Sequence, residues 1–245
     1  MRRLILVALL LVFAAPVEAQ WSTSPVNATT ETTDNFTGGA TMVATIPATT
    51  IGNTIVIVVI SNQNRSVSSV TCGGTFSSIH RQGVSVFIQV MAAVATSSVT
   101  SCTVVLTGNS DSFIEDVISV LEFSGGAATL TESGTSTGTT NASTTTSHDA
   151  ASVTPNTSST LFIGALVIDG STGGLTTDSD FTQVFTETAG APKWIGYFVQ
   201  NGATTAQAFN NTTVTSRRSW ILLAALEGSA AAGGKSHNCL LLGVC

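Results

Sequence analysis

The chain repeats itself. Asn53-Thr54-Ile55-Val56-Ile57-Val58-Val59-Ile60 returns as Ser159-Thr160-Leu161-Phe162-Ile163-Gly164-Ala165-Leu166. Gly74-Thr75-Phe76 returns as Ser179-Asp180-Phe181, and Val86-Phe87-Ile88-Gln89-Val90 as Trp194-Ile195-Gly196-Tyr197-Phe198. Each half closes on an apolar run that ends in glutamate, Val117 to Glu122 and Trp220 to Glu227. The offset stays near 105 residues, and Pro47 and Pro155 precede the first strand of each half. A repeat of this length is one folding unit used twice, and each copy must bury its apolar surface against a layer of its own or against the other copy.

The unit is built of strands. No segment sustains a helical period, and the apolar runs are short and bounded by turn pairs such as Gly52-Asn53, Gly73-Gly74, Gly108-Asn109, Gly125-Gly126, Gly173-Gly174 and Asn201-Gly202. Ser and Thr make up about 28% of the chain and Gly contributes 22 residues, a composition suited to strands and turns. Regularly spaced short strands predict an all-β fold, a double-sheet β-sandwich of jelly-roll-like order. The expected domain covers 39–228, in two similar halves of five to six strands, roughly 39–125 and 143–228. Two tandem immunoglobulin-like domains are the alternative. Residues 20–38 read as a polar extension, and the join from Gly125 to Pro155 as a Ser/Thr-rich connector.

The ends suggest export. Arg2 and Arg3 precede a continuous apolar run from Leu4 to Ala15, and Val17 and Ala19 suit cleavage before Gln20, so 1–19 is expected to be a signal peptide. The run is too short to span a bilayer, and no membrane span is expected after cleavage. The expected location is secreted, extracellular or at the cell surface. Residues 229–245 read as a flexible tail whose end, Cys239 to Cys245, is apolar. Oxidising surroundings permit disulfides. Four cysteines allow three connectivities, and the simplest joins Cys72 to Cys102 and Cys239 to Cys245. With 9% charged residues and a net charge of −6, the chain has no basic surface with which to hold nucleic acid.

No chemistry announces itself. Gly134-Thr135-Ser136-Thr137-Gly138 matches the nucleophile-elbow pattern, but lacks the helix that the elbow requires, and His148-Asp149 nearby makes no triad. No catalytic residue is expected and the chain reads as a non-enzyme. Asp178 and Asp180 could share a strand face and, with Asp169, offer oxygens to Ca²⁺; the plain reading is turn-forming aspartates, with no cofactor. Trp194 and Tyr197 are the candidate sugar platform. Their odd spacing puts them on opposite faces of one strand, one in the core and the other exposed.

Three short segments carry a resemblance: Gly52-Asn53-Thr54 before an apolar strand, Val67-Ser68-Ser69-Val70-Thr71 before a glycine turn, and Leu121-Glu122-Phe123-Ser124-Gly125 closing the half. Their order, over most of 40–228, resembles a family of secreted and phage-borne Thr/Gly-rich β-sandwich modules similar to carbohydrate-binding or adhesive domains. The resemblance implies a non-catalytic extracellular binding module with a surface glycan as ligand. It departs at Cys72, where a polar residue is more usual, and this implies added stapling.

One feature opposes a simple sandwich. A strand with one solvated face alternates apolar and polar residues, yet 55–60, 161–168 and 221–226 are apolar throughout. Their second faces need a cover, either inside the chain or on another copy of it. Edge-protecting lysines are scarce, only Lys193 and Lys235. The alternative function is therefore a self-assembling structural subunit of a surface layer, matrix or filament, joined through apolar sheet faces or by strand addition.

Overall fold

A computed structural model describes residues 20–33, 39–62, 65–83, 86–108, 115–125, 131–132, 137–170, 173–188 and 191–227. The expected leader, the tail with Cys239 and Cys245, and Ser136 lie outside them. All secondary structure among the described residues is strand. The first half contains β1 (Asn27–Thr33), β2 (Ala40–Thr45), β3 (Thr54–Asn62), β4 (Ser66–Thr71), β5 (Ser77–Gln82), β6 (Val86–Val94), β7 (Ser101–Thr107) and β8 (Asp116–Phe123). They form a five-stranded sheet in the order β1-β8-β3-β6-β5 and a three-stranded sheet in the order β2-β7-β4, all antiparallel. Pairing 1 with 8, 2 with 7 and 3 with 6 is the nested order of a jelly roll. The remaining nested pair, 4 with 5, is missing: β5 has crossed to the large sheet and joined β6.

The second half repeats this order with fewer, longer strands. It contains β9 (Thr131–Glu132), β10 (Thr137–Val153), β11 (Ser159–Ile168), β12 (Leu175–Thr176), β13 (Thr182–Glu187), β14 (Lys193–Asn201) and β15 (Gln207–Glu227). The path β10-β15-β11-β14-β13 matches the large sheet of the first half, with β12 and β9 added on β15. Thr137 to Asn141 pair with Leu223 to Ser219 in the large sheet, whereas Ser147 to Val153 pair with Thr212 to Gln207 beyond a break in register. That second stretch carries Ala150, Val153 and Phe209 onto Phe162, Leu166 and Ile221 of the same sheet. The hairpin therefore bends over its own sheet and supplies the small layer, with β12 as its third strand.

The all-β sandwich expected from the sequence is present, and the structure doubles it. Each half is a sandwich in its own right, and the two large sheets pack back to back. Val56, Val58 and Ile60 of β3 share one core with Leu161, Ile163 and Ala165 of β11. The opposite face of β3 (Ile55, Ile57, Val59) packs on Ala40, Met42, Ala44 and Val104 of the first small sheet. This resolves the two-sided apolar strands. Every residue of β11 and β8 is buried, and the cover comes entirely from within one chain.

Three sequence expectations change here. The polar extension is structural: β1 is an outer strand of the large sheet, and Trp21 is buried. The Ser/Thr-rich connector contains the 17-residue β10. Its β-branched threonines suit an outer strand, and its only apolar demand falls where it folds over the sheet. Lys193 protects no edge; it is buried, 2.5 Å from Glu187 and 3.8 Å from Glu115 of the other half. Glycine explains one packing detail. Gly164 and Gly196 are paired across β11 and β14. A Cβ at Gly196 would lie 2.1 Å from the Trp194 ring, and one at Gly164 would lie 3.1 Å from Phe209, so this pair makes room for the stacked rings.

Cys72 and Cys102 form the expected disulfide, with Cα atoms 4.4 Å apart. It ties the residue after β4 to β7 across 30 residues. Replacing both cysteines with serine should lower stability by about 3.5 kcal/mol. Urea unfolding monitored by circular dichroism checks this, and an unchanged midpoint would refute it. In the second half Phe209 pairs with Ala150 as Cys102 pairs with Ala44 in the first, and its ring lies 4.9 Å from Phe181 and 5.2 Å from Trp194. Aromatic packing there replaces the covalent staple.

Candidate functional site

The residues singled out from sequence do not assemble into a site. Trp194 and Tyr197 do face opposite sides of β14, as their spacing requires. Trp194 joins the outer core of the second half and Tyr197 the central core between the halves. Both are buried, at 1% and 6% exposure, so neither offers a ring face to a sugar. The expectation that one of them is exposed fails because the strand is covered on both sides. The three aspartates are engaged separately. Asp169 accepts from Arg218 Nε at 2.8 Å. Asp178 accepts from the Asn210 amide at 2.9 Å and from the Asp180 amide at 3.0 Å. Asp180 accepts from the side chain of Gln207. Among the described residues no three His, Cys, Asp or Glu side chains gather to hold a metal ion.

Two polar clusters were not visible in the sequence. The first is charged. Arg65 and Asp116 form an ion pair with side chains at 0% and 1% exposure, and Ser61 Oγ donates to Asp116 at 2.5 Å. The second is centred on His148, which is fully buried. Thr213 Oγ1 donates to the Thr215 carbonyl at 2.8 Å and accepts from His148 Nε2 at 2.8 Å. Ser219 Oγ then donates to Nδ1 at 2.8 Å and accepts from Asn141 at 2.9 Å. This network assigns a neutral imidazole protonated on Nε2.

A hydroxyl beside an imidazole suggests nucleophilic catalysis, but both groups are fully buried. The neighbouring Asp149 carboxylate bonds Ser147 and the Asn211 amide instead of the ring. The hydrogen bonds of the cluster tie β10 to β15. The strand registers show its origin: Met42 pairs with Val104 in the first half, and His148 pairs with Asn211 in the second. That exchange of apolar for polar residues was the available signal.

The cluster has a pH consequence. Burial holds the His148 imidazole below its ordinary value, with Asp149 pulling weakly the other way. A folded-state value below the unfolded one means that stability is complete above about pH 6.5 and falls as pH drops through that value toward the folded one. His80, also lowered by burial with Glu132 opposing, adds in the same direction. Thermal melts between pH 7 and pH 5 should show a falling midpoint. In His148→Met, which restores the residue of the first half, the fall should be smaller. An equal slope in both proteins would remove His148 from the explanation.

One surface feature with room for a small ligand lies in the first half. A groove of about 400 Å³ is lined by Val67, Ser68, Ser69 and Val70 of β4, by Gly74, Thr75 and Phe76, and by Met91 of β6. It occupies the place of the missing nested pair, between β4 and the large sheet. Among the described residues β4 pairs with β7 alone, and their register slips between Val67 and Ser69. The turn that forms one wall is fixed twice. The disulfide holds Cys72, and the Gly73 carbonyl accepts from Thr96 N at 2.7 Å, Ser97 N at 3.1 Å and Thr96 Oγ1 at 3.0 Å. Phe181, the repeat counterpart of Phe76, is buried instead among Trp194, Phe198 and Phe209.

No protein-family model matches the chain, and no curated protein and no solved structure matches it either.

Proposed function

We propose that the chain is a non-catalytic binding module acting outside the cell, with a glycan as its ligand. The groove beside β4 carries this reading. Its volume of about 400 Å³ falls within the range of small-ligand sites, roughly 300–1,000 Å³. Its lining mixes apolar side chains with hydroxyls, and a stapled turn holds one wall in place before any ligand arrives. The leader-like start and the disulfide agree with an extracellular setting, and the resemblance to adhesive modules points the same way. Internal burial of the apolar sheet faces disfavours the structural-subunit alternative.

The test is retention of the purified chain on a panel of immobilised oligosaccharides, with released sugar measured in parallel. Binding without turnover is expected. Turnover, or no binding to any member, would overturn the reading. Expression with its own first 19 residues should yield exported protein beginning at Gln20, checked by intact mass.

A further inference from the structure

We infer that the groove beside β4 selects neutral saccharides, docking a sugar ring on Phe76 and Val70 with its hydroxyls toward Ser68, Ser69 and Thr75. The inference rests on the glycan reading above and adds where the ligand sits and which glycans are refused.

The topology creates the site. In the nested order β5 would lie beside β4; here it pairs with β6. Among the described residues β4 is left with β7 as its one strand partner, and Met91 of β6 lines the space beside it. An edge of this kind invites an added peptide strand, but the register slip between Val67 and Ser69 breaks the regular ladder that strand addition needs. A saccharide needs no ladder. Its hydroxyls donate and accept, so they can meet both the hydroxyls of the rim and the N–H and C=O groups of a strand edge. Its C–H face suits an aromatic or aliphatic wall.

Charge sets the class. None of the lining residues is ionised, so a uronate or sialate would lose water around its carboxylate and gain no cation in return. The second half gives the contrast. Its corresponding phenylalanine, Phe181, is 6% exposed and packed under three other rings, whereas Phe76 is half-buried and lines the groove. The duplication thus left one copy closed and one copy open.

The experiment compares wild type, Phe76→Ala and Ser69→Arg on gluco-, galacto- and manno-oligosaccharides, and on oligogalacturonate and sialyllactose. Circular dichroism and melting temperature confirm folding. Ser69 is exposed, so Ser69→Arg keeps the test valid if Phe76→Ala misfolds. Wild type should bind neutral members only. Phe76→Ala should weaken binding about tenfold. Ser69→Arg should obstruct neutral sugars and raise retention of the anionic ones. Neutral binding untouched by either substitution overturns the location while leaving the glycan reading intact. Preference of the wild type for anionic members overturns the selectivity. Binding of an extended peptide in place of any saccharide, or of nothing, overturns both inferences.

Discussion

Asp116→Ala should destabilise the chain by about 3–5 kcal/mol, because it removes the carboxylate that pairs with the Arg65 guanidinium in the interior. Both side chains are essentially inaccessible to water, and the substitution also leaves Ser61 without its acceptor. Asp116 opens β8 opposite Thr33 of β1, so the loss falls where an outer strand joins its sheet. Equilibrium urea unfolding reads the effect. The control is Arg65→Met with Asp116→Leu, which removes both charges and should recover most of the loss. A single substitution costing under about 1 kcal/mol would show that the pair is solvated and that its burial has been misread.

Trp21→Ala should cost a comparable amount, about 3–5 kcal/mol. Trp21 is 2% exposed and belongs to the core shared by both halves. Its ring meets Phe123 edge-on at 6.2 Å, and Phe123 in turn meets Tyr197 of the second half at 5.4 Å. The Trp21 carbonyl accepts from Asn201 of β14 at 2.9 Å. The chain closes tightly here: a Cβ at Gly125, whose φ is +82°, would lie 1.7 Å from the Gln20 carbonyl oxygen. Trp21→Phe keeps the aromatic body and gives up only an indole N–H that has no partner among the described residues, so its cost should be well under half that of alanine. Equal losses for both variants would move the explanation from packing to the indole nitrogen. The start of the segment read from sequence as a polar extension is thus a clamp between the halves.

Composition bears on function as well. A chain with 22 charged residues in 245 buries Arg65, Asp116, Glu122 and Lys193. Glu122 accepts from Asn27 at 2.5 Å, from the Thr50 amide at 2.8 Å and from Asn53 at 2.7 Å. It joins β1 to the turn before β3, so its charge is spent on holding the fold together. Among the described residues, the exposed positions are mostly Ser and Thr.

The sequence alone determined what depends on neighbours along the chain. Short apolar runs between glycine turns specified strands, and the offset near 105 specified two copies of one unit. The Cys72–Cys102 bridge followed from the expectation of export and from placement in the body of the fold. The two-sided apolar runs stated that a cover must exist. Only the tertiary structure decided what the cover is. Period-two alternation tells which residues share a face, never which layer lies against that face, and here the answer was the other half of the same chain. For the same reason Trp194 and Tyr197 were correctly put on opposite faces and wrongly left one in water. β10 was missed because an outer strand of threonines carries too little apolar signal to stand out. The burial of His148 and Arg65 was not legible because burial of a polar group depends on partners such as Ser219 and Asp116, 71 and 51 residues away. The groove was invisible for a topological reason: it exists because β5 pairs with β6 instead of β4, and both choices satisfy the same local pattern.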